Sequence, residues 1–448
     1  MGYIHIPNLA EGADWRVELL QARDEGRDLS SVQEAFDKLS GLSEREQLKQ
    51  AALLMDAVQS LPLRADYPYH EPGDHSSILQ ARPKKTVPDA DYDRQTIYNK
   101  IYGAWLGRCA GCLLGKPMEG WKQARIVGFL RAIGNDPVAG YCSSDQSAEI
   151  REAFQIDDTA TPHGTLVPFI NNVSHMVIDD DTNYSIFSVL LLELYGRDFS
   201  PYQLLELWLN KFPLCYLWTA ERVAYRNAIQ CIEPPNSAIH RNPYREWIGA
   251  QIRADVYGYL SPGRPEEAAR MAFADAGVSH VKNGVYGAMW VAAMLAHAAT
   301  DDHPERAIIA GLQQIPEKSR LAEGLSSVLD WRRQGRSGQQ ALEEIHSRYD
   351  ESNSHDWCHA ISNSMIVTTA LLWGEKDMDK TFHYALTAGF DTDCNAATAG
   401  SVLGMMLGAD ALPPKWTAPL HNKIQSGIAG TTHFNISDLA QRCVALLP

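Results

Sequence analysis

Apolar positions in the first sixty residues recur at i, i+3 and i+4, the spacing of a helix with one buried face. The segments WRVELLQARDEG, SSVQEAFDKLSG and LSEREQLKQAALLMDAVQSL all follow it, which predicts two or three amphipathic helices between Asp14 and Leu63. Ser30 and Ser43 stand where N-caps belong, and Gly26 and Gly41 where helices stop. Periodicity is then lost from Arg64 to Asp93. That polar, proline-containing run predicts a linker or surface strap, with a boundary near Pro83 to Pro88. The chain thus divides into an N-terminal helical extension with its linker (residues 1–88) and a main body (residues 89–448).

From Tyr98 onward helical spacing dominates, in segments such as IYNKIYGAWLGRCAGCLLG, TNYSIFSVLLLELYG, NGVYGAMWVAAMLAHAA, SHDWCHAISNSMIVTTALLWG and NAATAGSVLGMMLG. Few segments alternate with the strand period, so the expected fold is all-α. Several of these helices are apolar nearly all round and rich in Ala and Gly, which predicts closely packed central helices. Two stretches resist the helical reading, Ala124 to Val177 and Cys231 to Gln251, and long loops in a compact domain are often functional.

Charge narrows the partners. The formal net charge of −15 argues against nucleic acid, whose affinity rests on Lys/Arg contacts to phosphates. No basic and then apolar leader opens the chain, and no uncharged apolar run reaches the ~18 residues of a membrane span. The 8 cysteines are scattered as free thiols would be, and the Cys109–Cys112 pair lies inside a helical pattern and reads as packing. These features predict a cytoplasmic protein with no nucleic-acid or membrane partner.

Three segments at helix ends carry candidate chemistry: GKPMEGW with Glu119, VIDDDTNYSIF with Asp179, Asp180 and Asp181, and TAGFDTDCNAATAG with Asp391 and Asp393. One Asp at a helix start is a good cap. Three in a row among apolar neighbours repel one another and must take up protons or meet a cation. Oxygen donors without a His/Cys cage favour a hard ion, Mg²⁺ ahead of Ca²⁺ or Mn²⁺, so the two clusters are expected to face each other across one or two ions. A further Asp-Asp-Thr at Asp157 to Thr159 lacks a following helix and reads as a turn or substrate loop. The aromatic runs Tyr216 to Asn227 and His355 to Asn363 read as core packing ahead of base stacking.

Together these motifs resemble the ADP-ribosylglycohydrolase family, which includes the dinitrogenase-reductase-activating glycohydrolase. The matching stretches, in order, are Gly103 to Gly120, Asp179 to Thr182, RPEEAARMAFADAGVSH and AGFDTDCNAATAGSVLGMMLG. The resemblance spans roughly Tyr98 to Trp416. It implies an orthogonal multi-helix bundle with a two-magnesium centre, here with an extra N-terminal helical segment, hydrolysing a glycosidic bond at the anomeric carbon of ADP-ribose. By position it implies Asp179, Asp180, Asp181, Asp391, Asp393 and Cys394 as metal ligands for one or two Mg²⁺ (or Mn²⁺). It implies Glu119 and Asp181 as catalytic groups, and His280, Asn395, Gly249 and Arg253 against the substrate.

Departures qualify the substrate. Cys112, Phe390 and Cys394 replace an Asp, a Gly and a Thr of the family pattern, and soft sulfur suits Mg²⁺ poorly. Trp247 and Ile248 stand where small residues would let backbone amides approach a diphosphate. Three readings follow: a hydrolase of ADP-ribosylated proteins or small molecules, a nucleoside-like ribosyl N-glycosidase, and a non-enzymatic ligand-binding protein. The N-terminal helices are candidates for docking a partner, covering the cleft or forming an oligomer.

Overall fold

A computed structural model describes residues 6–158 and 167–448; residues 1–5 and Thr159, the last residue of the Asp157 to Thr159 run, lie outside the described residues. The fold is all-α. Among the described residues the only strands are Lys423–Gln425 and His433–Asn435, paired antiparallel. No described helix is long and apolar enough to cross a membrane, and all eight cysteines are free thiols.

The amphipathic start forms helices Trp15–Asp24, Gln33–Leu39 and Glu44–Gln59. Their apolar faces meet in a small core of their own around Trp15, Phe36, Leu39 and Met55. Gly26, at φ +75°, ends the first helix as expected. The second helix starts later than Ser30 implies, with Val32 at its cap, because the Ser30 amide is held by the Asp28 carboxylate. Ser43 does stand at the third cap, but its hydroxyl donates to Glu46 instead of accepting a backbone N–H. The linker crosses the body as a strap, bonding the Lys318 and Gly263 carbonyls through the amides of His70 and Ala90. It also carries a short helix, His75–Ala81, capped by Asp74.

Buried charge ties the extension to the body. Arg245 reaches Glu18 at 2.6 Å and Glu25 at 2.7 Å, and Lys282 reaches Glu25 at 3.1 Å. Burial pushes the Glu25 carboxyl up, but Arg245 and Lys282 outweigh it and hold it down to about 2. A folded value below the unfolded one, 4.5, gives stability that is complete above pH 4.5 and lost as pH falls toward 2. Arg245→Met would leave both carboxylates buried without their guanidinium. It is expected to cost roughly 3–5 kcal/mol at pH 7 and less below pH 4, where the acids take up protons. Urea midpoints at the two pH values check this; equal midpoints for variant and parent would refute it.

Two glycine-spaced helices make the centre. Ile97–Gly115 runs antiparallel to Thr392–Leu407, with Gly103 against Gly404, Gly107 against Gly400 and Gly111 against Ala396. A Cβ placed on Gly107 or on Gly111 would lie 2.0 Å from the facing carbonyl oxygen, so the backbones themselves are in contact. This zipper sets the C-terminal end of the first helix beside the N-terminal end of the second. Both ends carry candidate chemistry.

Two expectations are corrected. SHDWCHAISNSMIVTTALLWG is not one helix: His359 takes extended backbone and caps the next turn through Nδ1, giving Ser354–Cys358 and Ala360–Gly374. Among the described residues of Ala124 to Val177, two α-helices form, Gln123–Ala132, which begins one residue earlier, and Ala148–Ala153; the first buries Ile126, Phe129 and Leu130 on one face.

Candidate active site

The two acidic motifs differ in how their helices begin. Asp179 caps the Asp180–Tyr195 helix, its Oδ1 accepting the Asp181 amide at 2.9 Å. Asp391 occupies the cap position of Thr392–Leu407 but makes no side-chain cap bond, and its Oδ1 is buried with no hydrogen-bond partner. Capping therefore does not account for Asp391. Phe390, just before it, holds φ +54° although it is not glycine, a strained setting of order 1 kcal/mol that starts the helix where its acids face the other cluster.

The zipper brings the Glu119 segment to the same place. Lys116 Nζ lies 2.7 Å from Asp179 Oδ2, 2.7 Å from Glu119 Oε2 and 3.0 Å from Asp393 Oδ2. Behind them the buried Arg108 holds Asp181 Oδ1 at 3.0 Å and Asp255 at 3.0 Å. The Cys394 thiol donates to Asp181 Oδ2 at 3.1 Å. Ligand atoms of Asp391, Asp393 and Cys394 lie within 4.8 Å of one another, as do those of Cys112, Asp179, Asp181 and Asp393. Cys112, expected to be packing alone, is thus buried in the helix but also abuts the acids.

Seven carboxylates, Glu119 and Asp255 among them, meet two cationic side chains here, and their titration shows the excess. Burial, then repulsion by neighbouring acids, pushes Asp180, Asp181 and Asp391 well above the usual carboxylate range. Burial acts on Asp179 too, but Lys116 holds it below that range. Glu119 is raised to about 7 by desolvation among the surrounding side chains and by Asp393, against the pull of Lys116. The Cys394 thiol is raised well above its ordinary value by burial and by Asp181, which makes it a neutral donor rather than a thiolate. Asp391 Oδ1 and Asp393 Oδ1, buried and unpartnered, are hard oxygens placed for a hard cation, so the residues fit one on that side.

These groups open onto a cavity of about 400 Å³. Lys116, Glu119, Asp179, Asp180, Asp391, Asp393 and Cys394 line its polar end. Tyr216, Trp218, Trp247, Ile248 and Trp357 give it an apolar and aromatic surface as well, with the Glu221 carboxylate among them. The aromatic runs read as core therefore line the cavity in part, which corrects that reading; the break at His359 lies just past Trp357. Among the described residues of the lining, Lys116 is the only basic side chain.

The remaining candidates lie around it. Gly249 is in the wall, where a Cβ would fall 2.2 Å from the Glu221 carboxylate. Arg253 is behind the wall, bonded to Glu221 at 2.6 Å and paired with Asp275. His280 is buried beside Ser279, its Nδ1 2.8 Å from the hydroxyl; burial and Arg253 hold it well below the ordinary imidazole value, so it is neutral. Asn395 donates to Asn363 Oδ1 at 2.8 Å. Arg253, His280 and Asn395 thus support the wall and the acids from outside the cavity.

Sequence reasoning missed Lys116, Arg108 and Glu221. Arg108 had a visible signal, a charge in the half of its helix that is otherwise apolar or small on every side. Lys116 sits three residues before Glu119 inside the quoted motif. Glu221, raised to about 7 by burial despite Arg253, had no local signal.

A family model described as ADP-ribosylglycohydrolase matches residues 93–447. Among solved structures, one described as an ADP-ribosylglycohydrolase-related protein complex is similar at 18% identity, covering 79% of this chain and 98% of that one, with a TM-score of 0.47. No curated protein sequence matches the chain.

Proposed function

The chain belongs to the ADP-ribosylglycohydrolase family, and from that premise we propose that it is a cation-assisted glycosidase of a ribosyl N-glycoside whose leaving group is flat and uncharged. One observation carries the reading. Acids from two distant helix starts converge, with unpartnered buried oxygens, on a cavity that is also lined by Trp218, Trp247 and Trp357 and holds no basic side chain beyond Lys116 among its described residues. A diphosphate would ask for several donors or cations there; a nucleobase-like ring asks for stacking surface.

Asp181, Asp391 and Asp393 would hold the divalent ion, with Cys394 donating to Asp181 to fix its orientation. When bound, such an ion supplies charge stabilisation at sugar hydroxyls and makes a coordinated water more acidic. Asp180, on the cavity wall, would accept a proton from the attacking water once a bound cation offsets the burial and neighbouring acids that raise its carboxyl. Glu119, with a carboxyl near pH 7, is placed to give its proton to the departing nitrogen as the glycosidic bond breaks through an oxocarbenium-like state. The tryptophan walls exclude bulk water and stack on the leaving group. Arg253 and His280 act through Glu221 and the wall.

Removal of ADP-ribose from a modified protein or small molecule is the second reading, favoured by the family match itself. A panel of free nucleosides set against ADP-ribosyl-arginine and O-acetyl-ADP-ribose, with Mg²⁺ or Mn²⁺ present, separates the two. Hydrolysis of nucleosides at a kcat/KM at least tenfold above the ADP-ribosyl substrates is expected. The reverse order would move the chain to the second reading, and no turnover of any ribosyl compound would remove both.

A further inference from the structure

The acidic pocket is divided unequally between its acids, and Lys116 makes the division. Its side chain leaves the end of the Ile97–Gly115 helix and is only 23% exposed. Its ammonium contacts one carboxylate from each of the three segments that build the site: Asp179, Asp393 and Glu119, all at 3.0 Å or less. On the other side of Asp393, its second oxygen and Asp391 Oδ1 are buried and have no partner at all.

The geometry points to a built-in cation: we propose that Lys116 fills the Asp179–Asp393–Glu119 half of the pocket in place of a metal ion, leaving room for a single divalent cation on the Asp391–Asp393 side. Three physical arguments support it. An ion held by those same three oxygens would need its centre at about 2.0–2.1 Å from each, in the space the ammonium occupies. An ammonium is a compact point charge, able to bridge several carboxylates without the planar fork a guanidinium needs. It is also tethered, so it pays none of the translational cost of capturing an ion. Arg108 completes the scheme from below, since Asp181 Oδ1 is already bonded to it and only the Oδ2 side faces Cys394 and the second cluster. The same lysine holds Glu119, so it also positions the proton donor of the proposed reaction.

The inference rests on the glycosidase reading only in taking the Asp391–Asp393 oxygens as a cation site, and its test separates the two. Equilibrium dialysis of the full chain against Mn²⁺, followed by elemental analysis, should find one tightly bound ion per chain. In Lys116→Met, of similar length but neutral, the freed carboxylates should admit a second ion, giving two per chain. Lys116→Gln, also neutral, is the companion variant if the methionine variant does not fold, and it too should bind two, one ion again counting against the role given to Lys116. Two ions in the parent chain, or one ion in Lys116→Met as in the parent, would overturn the role given to Lys116 while leaving the glycosidase reading in place. No bound Mn²⁺ in the parent would overturn the cation site and this inference with it.

Discussion

Asp391→Asn/Asp393→Asn is expected to lose hydrolysis by on the order of 10³-fold or more, together with divalent-cation binding, while the folded protein becomes more stable without metal. The two effects share one cause. Asp391 is pushed well above the usual carboxylate range by burial and by Asp393, so the charges stored here work against folding until a cation neutralises them. Neutral amides relieve that repulsion. They also remove the two unpartnered buried oxygens on which the cation depends. Thermal unfolding with and without Mn²⁺ reads both: the parent should gain about 2.7 kcal/mol at a hundredfold excess over Kd, and the double variant nothing. A double variant that keeps its turnover, or is stabilised by Mn²⁺ as the parent is, would count against the mechanism.

Gly111→Val is expected to be the most damaging single change to the fold, at or beyond ~4–5 kcal/mol, with little protein recovered in native form. Its first side-chain carbon would sit 2.0 Å from the Ala396 carbonyl oxygen and 2.3 Å from the carbonyl carbon. No rotamer relieves a clash at Cβ, and the obstacle is a helix backbone, so the two central helices must part along their length. Parting them also draws Lys116 and Glu119 away from Asp393. Gly41→Ala is the contrast: its Cβ meets only a carbonyl oxygen at 3.7 Å, and a change within about 0.5 kcal/mol is expected. Urea denaturation of both, by far-ultraviolet circular dichroism, would decide; similar midpoints would show that the glycine contact is not what holds the centre together.

That contact explains much of what was legible in the chain. The richness of several helices in Ala and Gly predicted close-packed central helices; the structure shows that two of them touch through the four-residue glycine spacing from Gly103 to Gly115 and the small residues from Ala396 to Gly404. The same helices deliver Glu119 and Asp393 to one place, so packing motif and acidic motif are read from the same segments. The acids themselves stood out because three consecutive carboxylates among Met176, Ile178 and Phe187 conflict with burial unless something offsets them. What offsets them was harder to see. Lys116 looks like an ordinary residue at a helix end until the fold puts Asp179 and Asp393, distant in the chain, on either side of it. The breaks were hidden too. His359 interrupts a run whose periodicity is continuous, because its ring nitrogen caps the next turn, a choice made by tertiary context around Trp247 and Glu246. Likewise Val32 replaced Ser30 at a helix start because Asp28 captured the serine amide first. Aromatic residues give no signal of which face is solvent and which is cavity, so Tyr216, Trp218 and Trp357 read as core.

The buried links between Arg245, Glu18 and Glu25 add a consequence for the N-terminal extension. Its helices have their own small core, yet the buried Glu18 and Glu25 find their guanidinium partner, Arg245, in the body. Asp24, the last residue of the first helix, also reaches His355 at 3.0 Å, and His355 in turn accepts from Trp247 of the cavity wall at 3.1 Å. The extension thus buttresses the aromatic end of the site from behind.

Anomalous diffraction from a crystal grown with Mn²⁺ tests the whole account most directly. The expected map has a manganese peak among the carboxylates of Asp181, Asp391 and Asp393, at the polar end of the tryptophan-walled cavity. A map with no peak among those carboxylates, from crystals in which Mn²⁺ is present in large excess, would contradict it.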